Sequence, residues 1–397
     1  MSELSEIAIV GASLAGLRAA EALRAEGYAG RLTIVGSEQH LPYDRPPLSK
    51  ELLTGAMERA ELDLPHPEGL DATWRLGSAA TKLDLDARAL TLADGSTVAF
   101  DGLVLATGSG ARVLPTFPHD SETVHTLRTA DDAHGLRGAL RKGVRLLIVG
   151  CGFIGVEVAA SARALGAEVT AIGLEPPLAP AGPLASAAAT RLLETAGVTL
   201  HIGHGVSSTQ QAADGAHRVV LSDGTELEAD QVVVSVGSVP NVGWLEGSGL
   251  EIADGVVCDV SLHAVGATDV VAAGDIARWP NATYGGLSMR VEHWSNAIEQ
   301  GNFAARSLLL GTQAPAFGSV PSFWSDHFGI RLQSVGLPKL ADRFELVAGS
   351  PEEGRFAAAA YAGETLVGAI SYGMPRALVA AKAKLMKEGV ELEAAGA

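Results

Sequence analysis

Ile7-Ala-Ile-Val-Gly-Ala-Ser-Leu-Ala-Gly16 is the stretch whose reading decides the fold. Its first four residues are a short apolar run rich in β-branched side chains, as a buried parallel strand requires. Gly11-Ala-Ser-Leu-Ala-Gly16 is a glycine-rich turn, and Leu17 to Glu26 reads as a helix. Leu32-Thr-Ile-Val35 is a second apolar run, with Glu38 just beyond it. Strand, glycine turn, helix, strand and acid in that order make a dinucleotide-binding βαβ unit. The glycines permit a tight turn and close helix packing, and the helix start aims free N–H groups at a pyrophosphate. The acid, about 20 residues past the last glycine, suits a ribose hydroxyl pair. Ser13 stands where the middle glycine is expected and adds a side chain where the pyrophosphate must approach. Leu14 and Ala15 sit at the same helix start.

The theme then repeats. Arg145-Leu-Leu-Ile-Val149 is a strand, Gly150-Cys-Gly-Phe-Ile-Gly155 is a full G-x-G-x-x-G, Val156 to Gly166 is a helix and Val169-Thr-Ala-Ile172 the next strand. Two such units in one chain most simply bind two dinucleotides. The second unit departs from pattern at its end: Gly173-Leu174 follow Ile172, and Glu175 arrives two places late. No Arg or Lys lies between Ile172 and Arg191 to hold a 2′-phosphate, which favours NADH over NADPH.

Bulk properties bound the rest. With 397 residues the chain is long enough for two or three domains. A net charge of −17 argues against a partner made of nucleic acid or anionic membrane. Met1-Ser-Glu-Leu-Ser-Glu6 has neither a basic segment nor an apolar one, so no signal peptide is expected, and no stretch reads as a membrane span. Cys151 and Cys258 are the only cysteines, so no disulfide framework is expected and the reading is a cytoplasmic protein.

Between and after the two units lie further signals. In Tyr43-Asp-Arg-Pro-Pro-Leu-Ser-Lys50 two adjacent prolines forbid helix and stiffen a loop that presents Arg45 and Lys50 beside the first phosphate site. Leu83 to Phe100 reads as a hairpin turning at Asp94-Gly95. Leu103-Val-Leu-Ala106 is a buried strand ending in Thr107-Gly108, small enough for a flat ligand to pass close. Asp131 to Leu140 reads as a helix. Val232-Val-Val-Ser-Val236 leads into Gly237, and Asp269-Val-Val-Ala-Ala-Gly-Asp275 sets a carboxylate at the carboxyl end of a strand, where ligand crevices open. Val291-Glu-His-Trp294 opens a helix to Leu310, a linker runs from Ala314 to Pro321, and strands are expected near 331–335, 344–347 and 365–371. Ala377 to Lys387 closes as a helix, with Lys382, Lys384 and Lys387 read as a solvated face.

Both fingerprints, Tyr-Asp-Arg-Pro-Pro-Leu-Ser-Lys, Ala106-Thr-Gly108, Gly274-Asp275, Glu-His-Trp-Ser-Asn-Ala and Phe-Trp-Ser-Asp occur in order over nearly the whole chain. In this the chain resembles the FAD-dependent NAD(P)H:ferredoxin reductases of bacterial oxygenase systems. The resemblance implies an α/β, glutathione-reductase-like fold with two Rossmann-type domains and an α+β carboxyl-terminal domain. The FAD domain would comprise 1–112 and 243–316, the NAD(P)H domain 113–242 and the last domain 317–397. By matching position, FAD contacts are expected at Gly11, Ser13, Leu14, Ala15, Gly16, Arg45, Lys50, Ala80, Ala106, Thr107 and Gly108. Arg128, Gly274, Asp275, His293, Trp294 and Trp324 complete that set, Asp275 on the ribityl chain. The family's ribose acid falls at Ser37 or Glu38. NADH contacts are expected at Gly150, Gly152, Phe153, Ile154, Gly155, Glu157, Glu175 and Gly237. Lys50, Glu157 and Trp324 are the residues implied to act at the flavin, the first two as an ion pair.

The implied function is electron transfer from NADH through FAD to a 2Fe-2S ferredoxin, and so indirectly to a terminal oxygenase. Such chemistry belongs to the cofactors and needs no protein acid, base or nucleophile. That suits a chain in which His40, His66 and His293 are scattered and read as structural. A disulfide reductase or NADH oxidase would need a redox cysteine, the oxidase near position 43, where Tyr43-Asp-Arg-Pro stands. A redox-sensing flavoprotein of the apoptosis-inducing-factor type shares the fold and remains the binding-protein alternative.

Overall fold

The computed structural model describes residues 4–66, 69–118, 121–213 and 215–390, so part of the amino-terminal segment and the end of the last expected domain lie outside it. Two parallel five-stranded sheets carry the two glycine turns. The first runs in the order Val270–Ala272, Gly102–Leu105, Glu6–Val10, Arg31–Val35 and Thr73–Arg75. Ile7 pairs with Leu32 on one side and Gly102 on the other. Strands buried on both faces carry the Val/Ile/Leu runs seen in the sequence. The edge strand Val270–Ala272 returns to this sheet after the whole second unit has been built. The second sheet runs Thr199–Ile202, Glu168–Gly173, Arg145–Val149, Gln231–Val234 and Val124–His125. Ser109–Ala111 and Ser238–Pro240 form an antiparallel pair that joins the two units where the chain passes between them. Thr107 and Asn241 reinforce that crossing, the Asn241 amide donating to the Thr107 carbonyl at 2.8 Å.

The glycine turns share one construction. Gly11 has φ +126° and Gly150 φ +108°, in the region that favours glycine. A Cβ at Gly11 would lie 2.0 Å from the Ala106 carbonyl oxygen, and one at Gly150 would lie 2.1 Å from that of Ser235. Each turn therefore lets its strand end touch the next. Gly16 and Gly155 likewise let the helix start rest on the turn: a Cβ at either would lie 1.9 or 2.1 Å from the carbonyl oxygen of Gly11 or Gly150.

A five-stranded antiparallel sheet ends the chain, in the order Ser322–His327, Ile330–Gly336, Thr365–Tyr372, Arg355–Ala362 and Arg343–Ser350, with helix Val379–Glu388 packed on it. Several expectations shift. The double proline makes a 3₁₀ turn, Pro46–Ser49, followed by the single helical turn Glu51–Thr54. Pro is tolerated at the first helical positions because no N–H is needed there. The 83–100 hairpin is three strands, Ala80–Asp84, Ala89–Leu92 and Thr97–Ala99, turning at Gly95 as expected. The long helix begins at Trp294 rather than Val291, with His293 extended at its start. Lys382 is half-buried and reaches the Ser322 hydroxyl at 3.4 Å, so it does not belong wholly to a solvated face.

Candidate functional site

A cavity of about 500 Å³ runs from the first glycine turn to the edge of the last sheet. That volume is in the range of small-molecule and cofactor sites. Its floor is the start of helix Leu14–Ala25, where Ser13, Leu14 and Ala15 line it. Ser13 makes no side-chain cap, so the N–H groups of the first turn are free toward the cavity. With φ −132°, Ser13 needs no glycine, and its hydroxyl turns aside to accept from Arg45 Nε at 3.3 Å. The extra side chain is thereby drawn off the helix start.

Beyond that floor, Ser37 and Glu38 both line the cavity. Ser37 is exposed, whereas Glu38 is half-buried and accepts from the Tyr43 hydroxyl and, at 2.6 Å, from Arg45 Nη2. Glu38 is thus the acid that the second strand presents in a fixed pose. Arg45 also donates to the Arg128 carbonyl at 2.7 Å, tying the proline loop to the segment before helix Ala130–Ala139. Burial pushes the Tyr43 phenol well above its usual range, so the neutral hydroxyl donates to Glu38 while accepting from the Ala130 N–H at 3.0 Å.

The middle of the cavity is bounded by Ala106, Thr107, Gly108, Gly274, Asp275 and Arg128. Asp275 Oδ2 accepts from Arg128 Nη2 and from the Ser109 hydroxyl at 3.0 Å. Gly274 has φ +77°, and a Cβ there would come within 3.0 Å of Ala15 Cβ, so the second wall closes directly on the helix start. The far end is aromatic. Trp294 and Trp324 meet edge to face with ring centroids 5.7 Å apart, and Phe323 lies 4.6 Å from Phe153 and 4.9 Å from His293. The Trp294 indole donates to Asp44 at 2.7 Å, and burial raises the Asp44 carboxyl above its ordinary range. Burial lowers His293 to about 4, which keeps its ring neutral, and its Nδ1 has no hydrogen-bond partner among the described residues.

Lys50 and Glu157 meet at this end, Nζ to Oε1 at 3.1 Å, their side chains only 15% and 8% exposed. Glu157 also accepts from the Ser49 hydroxyl, from the Ser325 hydroxyl at 2.6 Å and from the Asp326 N–H at 3.2 Å. A buried carboxylate needs such a full shell, because an unpaired one costs several kcal/mol. Phe153 and Ile154, from the second glycine turn, complete the wall here. This end joins the proline loop, the second unit and the last sheet in one place.

Some expected residues stand elsewhere. Gly11 and Gly16 lie behind the cavity and shape the turn. Gly150, Gly152, Gly155, Gly237, Glu175 and Ala80 do not line it, Ala80 because it belongs to the strand Ala80–Asp84. Glu175 and Gly237 are exposed on the second unit. Gly152, like Ser13, starts a helix without a side-chain cap. Side chains not singled out as contacts, Tyr43, Asp44, Ser109, Phe323 and Ser325, do line the cavity. Of these, Tyr43 and Asp44 stood in the proline-loop motif and Phe323 and Ser325 in Phe-Trp-Ser-Asp; Ser109 carried no signal beyond following Thr107-Gly108. Neither Cys151 nor Cys258 lines the cavity, and burial pushes their thiols up to about 11 and about 12.

Comparison with known proteins covers nearly the whole chain. Residues 5–301 match the family described as pyridine nucleotide-disulphide oxidoreductase, and residues 322–397 match the reductase C-terminal family. Rhodocoxin reductase of Rhodococcus erythropolis is 37% identical over 391 residues, covering 96% of this chain and 90% of that protein. The ferredoxin–NAD(+) reductase subunit of the benzene 1,2-dioxygenase system of Pseudomonas putida is 38% identical, covering 84% of this chain and 80% of its own. The reductase in the crystal structure of the covalent putidaredoxin reductase–putidaredoxin complex superposes with a TM-score of 0.90 at 30% identity, over 96% of this chain and 93% of that one.

Proposed function

The chain belongs to the pyridine nucleotide-disulphide oxidoreductase family, and from that premise we propose that it is an NADH:ferredoxin reductase, delivering electrons to a 2Fe-2S ferredoxin that serves an oxygenase. The observation that carries the reading is the single cavity that begins at an uncapped helix start and ends at a buried Lys50–Glu157 pair between aromatic rings, with no thiol on its walls.

The residues present fit FAD. The free N–H groups at the start of helix Leu14–Ala25 suit a pyrophosphate, and glycine at Gly11 and Gly274 lets the strand end at Ala106 and the wall at Gly274 close on that helix start. Glu38 has the place and the acceptor oxygens for a ribose hydroxyl pair, with Ser37 as the exposed neighbour. Asp275 with Arg128 suits a ribityl chain, and the edge-to-face pair Trp294 and Trp324 suits the ring end of the ligand. FAD held there supplies the redox step itself, taking two electrons with a hydride and releasing them singly. The protein's part is to hold Lys50 against the cavity, to keep water from the ring end with Trp294, Trp324 and Phe323, and to admit the nicotinamide past Phe153 and Ile154.

The segments 1–112 and 243–316 form the FAD domain in this reading, 113–242 the nicotinamide domain and 317–397 the reductase domain. NADH is preferred because the end of the Glu168–Gly173 strand offers Glu175 and no cation before Arg191. A side chain at Gly173 would be tightly packed, since a Cβ would lie 3.0 Å from the Glu175 carbonyl and 3.2 Å from Cys151 Sγ. The likeness of a relative named for a dioxygenase system supports the partner class, and cytoplasmic operation is part of the same proposal. Described helices include none long and apolar enough to cross a membrane.

The purified protein should be yellow with one FAD per chain, and stopped-flow mixing should bleach it faster with NADH than with NADPH, after which a 2Fe-2S ferredoxin is reduced. A colourless protein would overturn the FAD reading, and loss of turnover in a Cys151→Ala, Cys258→Ser variant that still holds FAD would return the chain to the disulfide-reductase branch of its family.

A further inference from the structure

His327 ends the strand Ser322–His327, is 1% exposed and takes no part in the cavity wall. Its Nε2 lies 3.0 Å from the Ser325 hydroxyl, and its Nδ1 has no partner. The Ser325 hydroxyl, also 1% exposed, lies 2.6 Å from Glu157 Oε1, the oxygen that binds Lys50. A carboxylate only accepts, so the Ser325 proton is committed to Glu157. The Ser325 oxygen must then accept from His327, which fixes the imidazole as the Nε2–H tautomer and leaves Nδ1 bare. Burial lowers His327 to about 4, in keeping with a ring that stays neutral and donates one hydrogen bond. The ring is held by Tyr372, stacked at 6.2 Å between centroids and 24° between planes.

We infer that His327 is a positioning residue for the Lys50–Glu157 pair: through the Ser325 hydroxyl it fixes the Glu157 carboxylate and thereby sets how strongly Lys50 is held back from the flavin ring. The inference rests on the FAD reading above. With Ser325 donating to it, Oε1 shares its charge between Lys50 and the hydroxyl. If the hydroxyl turns away, Lys50 becomes the main donor left to that oxygen and is drawn toward it, away from the cavity. Reduced flavin then loses stabilisation by the ammonium, and the bound flavin becomes harder to reduce.

The test is the two-electron midpoint potential of the protein-bound FAD in His327→Leu, His327→Gln, Ser325→Ala and the Ser325→Ala, His327→Leu double variant. His327→Leu should shift the oxidised-to-reduced flavin equilibrium roughly tenfold toward oxidised, a fall of about 30 mV. His327→Gln, which keeps a donor, should restore the wild-type potential. Ser325→Ala should reproduce the fall, and adding His327→Leu to it should change nothing more. A potential in His327→Leu indistinguishable from wild type with FAD fully bound, or additive shifts in the double variant, overturns the inference and leaves the reductase reading standing. If His327→Leu does not fold, the Ser325→Ala potential decides: an unchanged value overturns it. Wild-type protein without FAD overturns both.

Discussion

Lys50 is where a single side chain bears most directly on the proposed chemistry. It lines the cavity at its aromatic end, is 15% exposed, and has Glu157 as its only ion-pair partner among the described residues. A charge so placed acts in a low-dielectric setting, where it is worth more than at the surface. Lys50→Met keeps much of the length and removes the ammonium. FAD should stay bound, because the helix start, Glu38 and Asp275 are untouched, while flavin reduction by NADH should slow by roughly tenfold or more, about 1.4 kcal/mol of barrier. Glu157→Gln should do less, since the lysine remains charged. Single-turnover stopped-flow at saturating NADH measures both, and a wild-type rate in Lys50→Met would remove the lysine from the mechanism. Lys50 was legible in the sequence because a double-proline loop beside a glycine turn is an unusual frame for a cation. Ser109 and His327 were not, since neither stands in a local pattern: long-range contacts bring Ser109 to Asp275 and His327 to Glu157 by way of Ser325.

Among elements, helix Ala130–Ala139 does more for the site than its distance from the glycine turns suggests. Thr129 caps it, accepting from the Asp132 N–H, while Asp132 Oδ2 accepts from the N–H groups of Thr129 and Arg128 at 2.9 Å each. This reciprocal box holds the Arg128 backbone, whose carbonyl in turn receives Arg45 and whose side chain meets Asp275. Losing such a cap costs about 1 kcal/mol. Thr129→Ala should therefore lower the unfolding free energy by about that amount and weaken FAD retention, and Thr129→Ser should restore both. Denaturant melts and the flavin left after gel filtration report the two effects, and unaltered retention in Thr129→Ala would mean that Arg128 is held without its cap. Elements differed in how openly the sequence announced them. Parallel strands such as Glu6–Val10 and Arg145–Val149 carry continuous apolar runs that end directly in a glycine turn, a pattern with few other readings. The strand Arg355–Ala362 holds Ala357 to Ala360 in a row, good helix formers that become strand only because neighbours on both sides pair with it. Ser322–His327 carries no alternation to mark it either, being buried unevenly along its length.

At the scale of the whole molecule the question is where a chain of net charge −17 receives its electron carrier, which we propose to be an acidic ferredoxin. Total charge governs distant repulsion, but within a Debye length of about 8 Å at physiological salt local patches decide. A small patch of mixed charge lies at the aromatic end of the cavity, where Lys339 and Glu292 both bear on His293 and Lys382 bears on Glu299. Lys382 reaches Ser322, next to the lining residues Phe323 and Trp324, and the exposed Lys339 lies close enough to His293 for its charge to be felt there. These cations, carried by helix Val379–Glu388 and the turn Pro338–Leu340, stand beside the aromatic end of the cavity, the exit proposed here for electrons. Net repulsion with local attraction makes opposite demands on salt: screening relieves the first and weakens the second. If the patch dominates encounter, ferredoxin reduction by the wild-type protein should slow as salt rises, since steered association falls steeply with ionic strength. A Lys339→Gln, Lys382→Gln variant should reduce ferredoxin more slowly at low salt and lose most of that salt dependence, while its flavin should still be reduced by NADH at the wild-type rate. Should the wild-type rate rise with salt instead, the net charge rather than the patch controls the encounter, and the carrier docks on some face other than the rim beside Trp324.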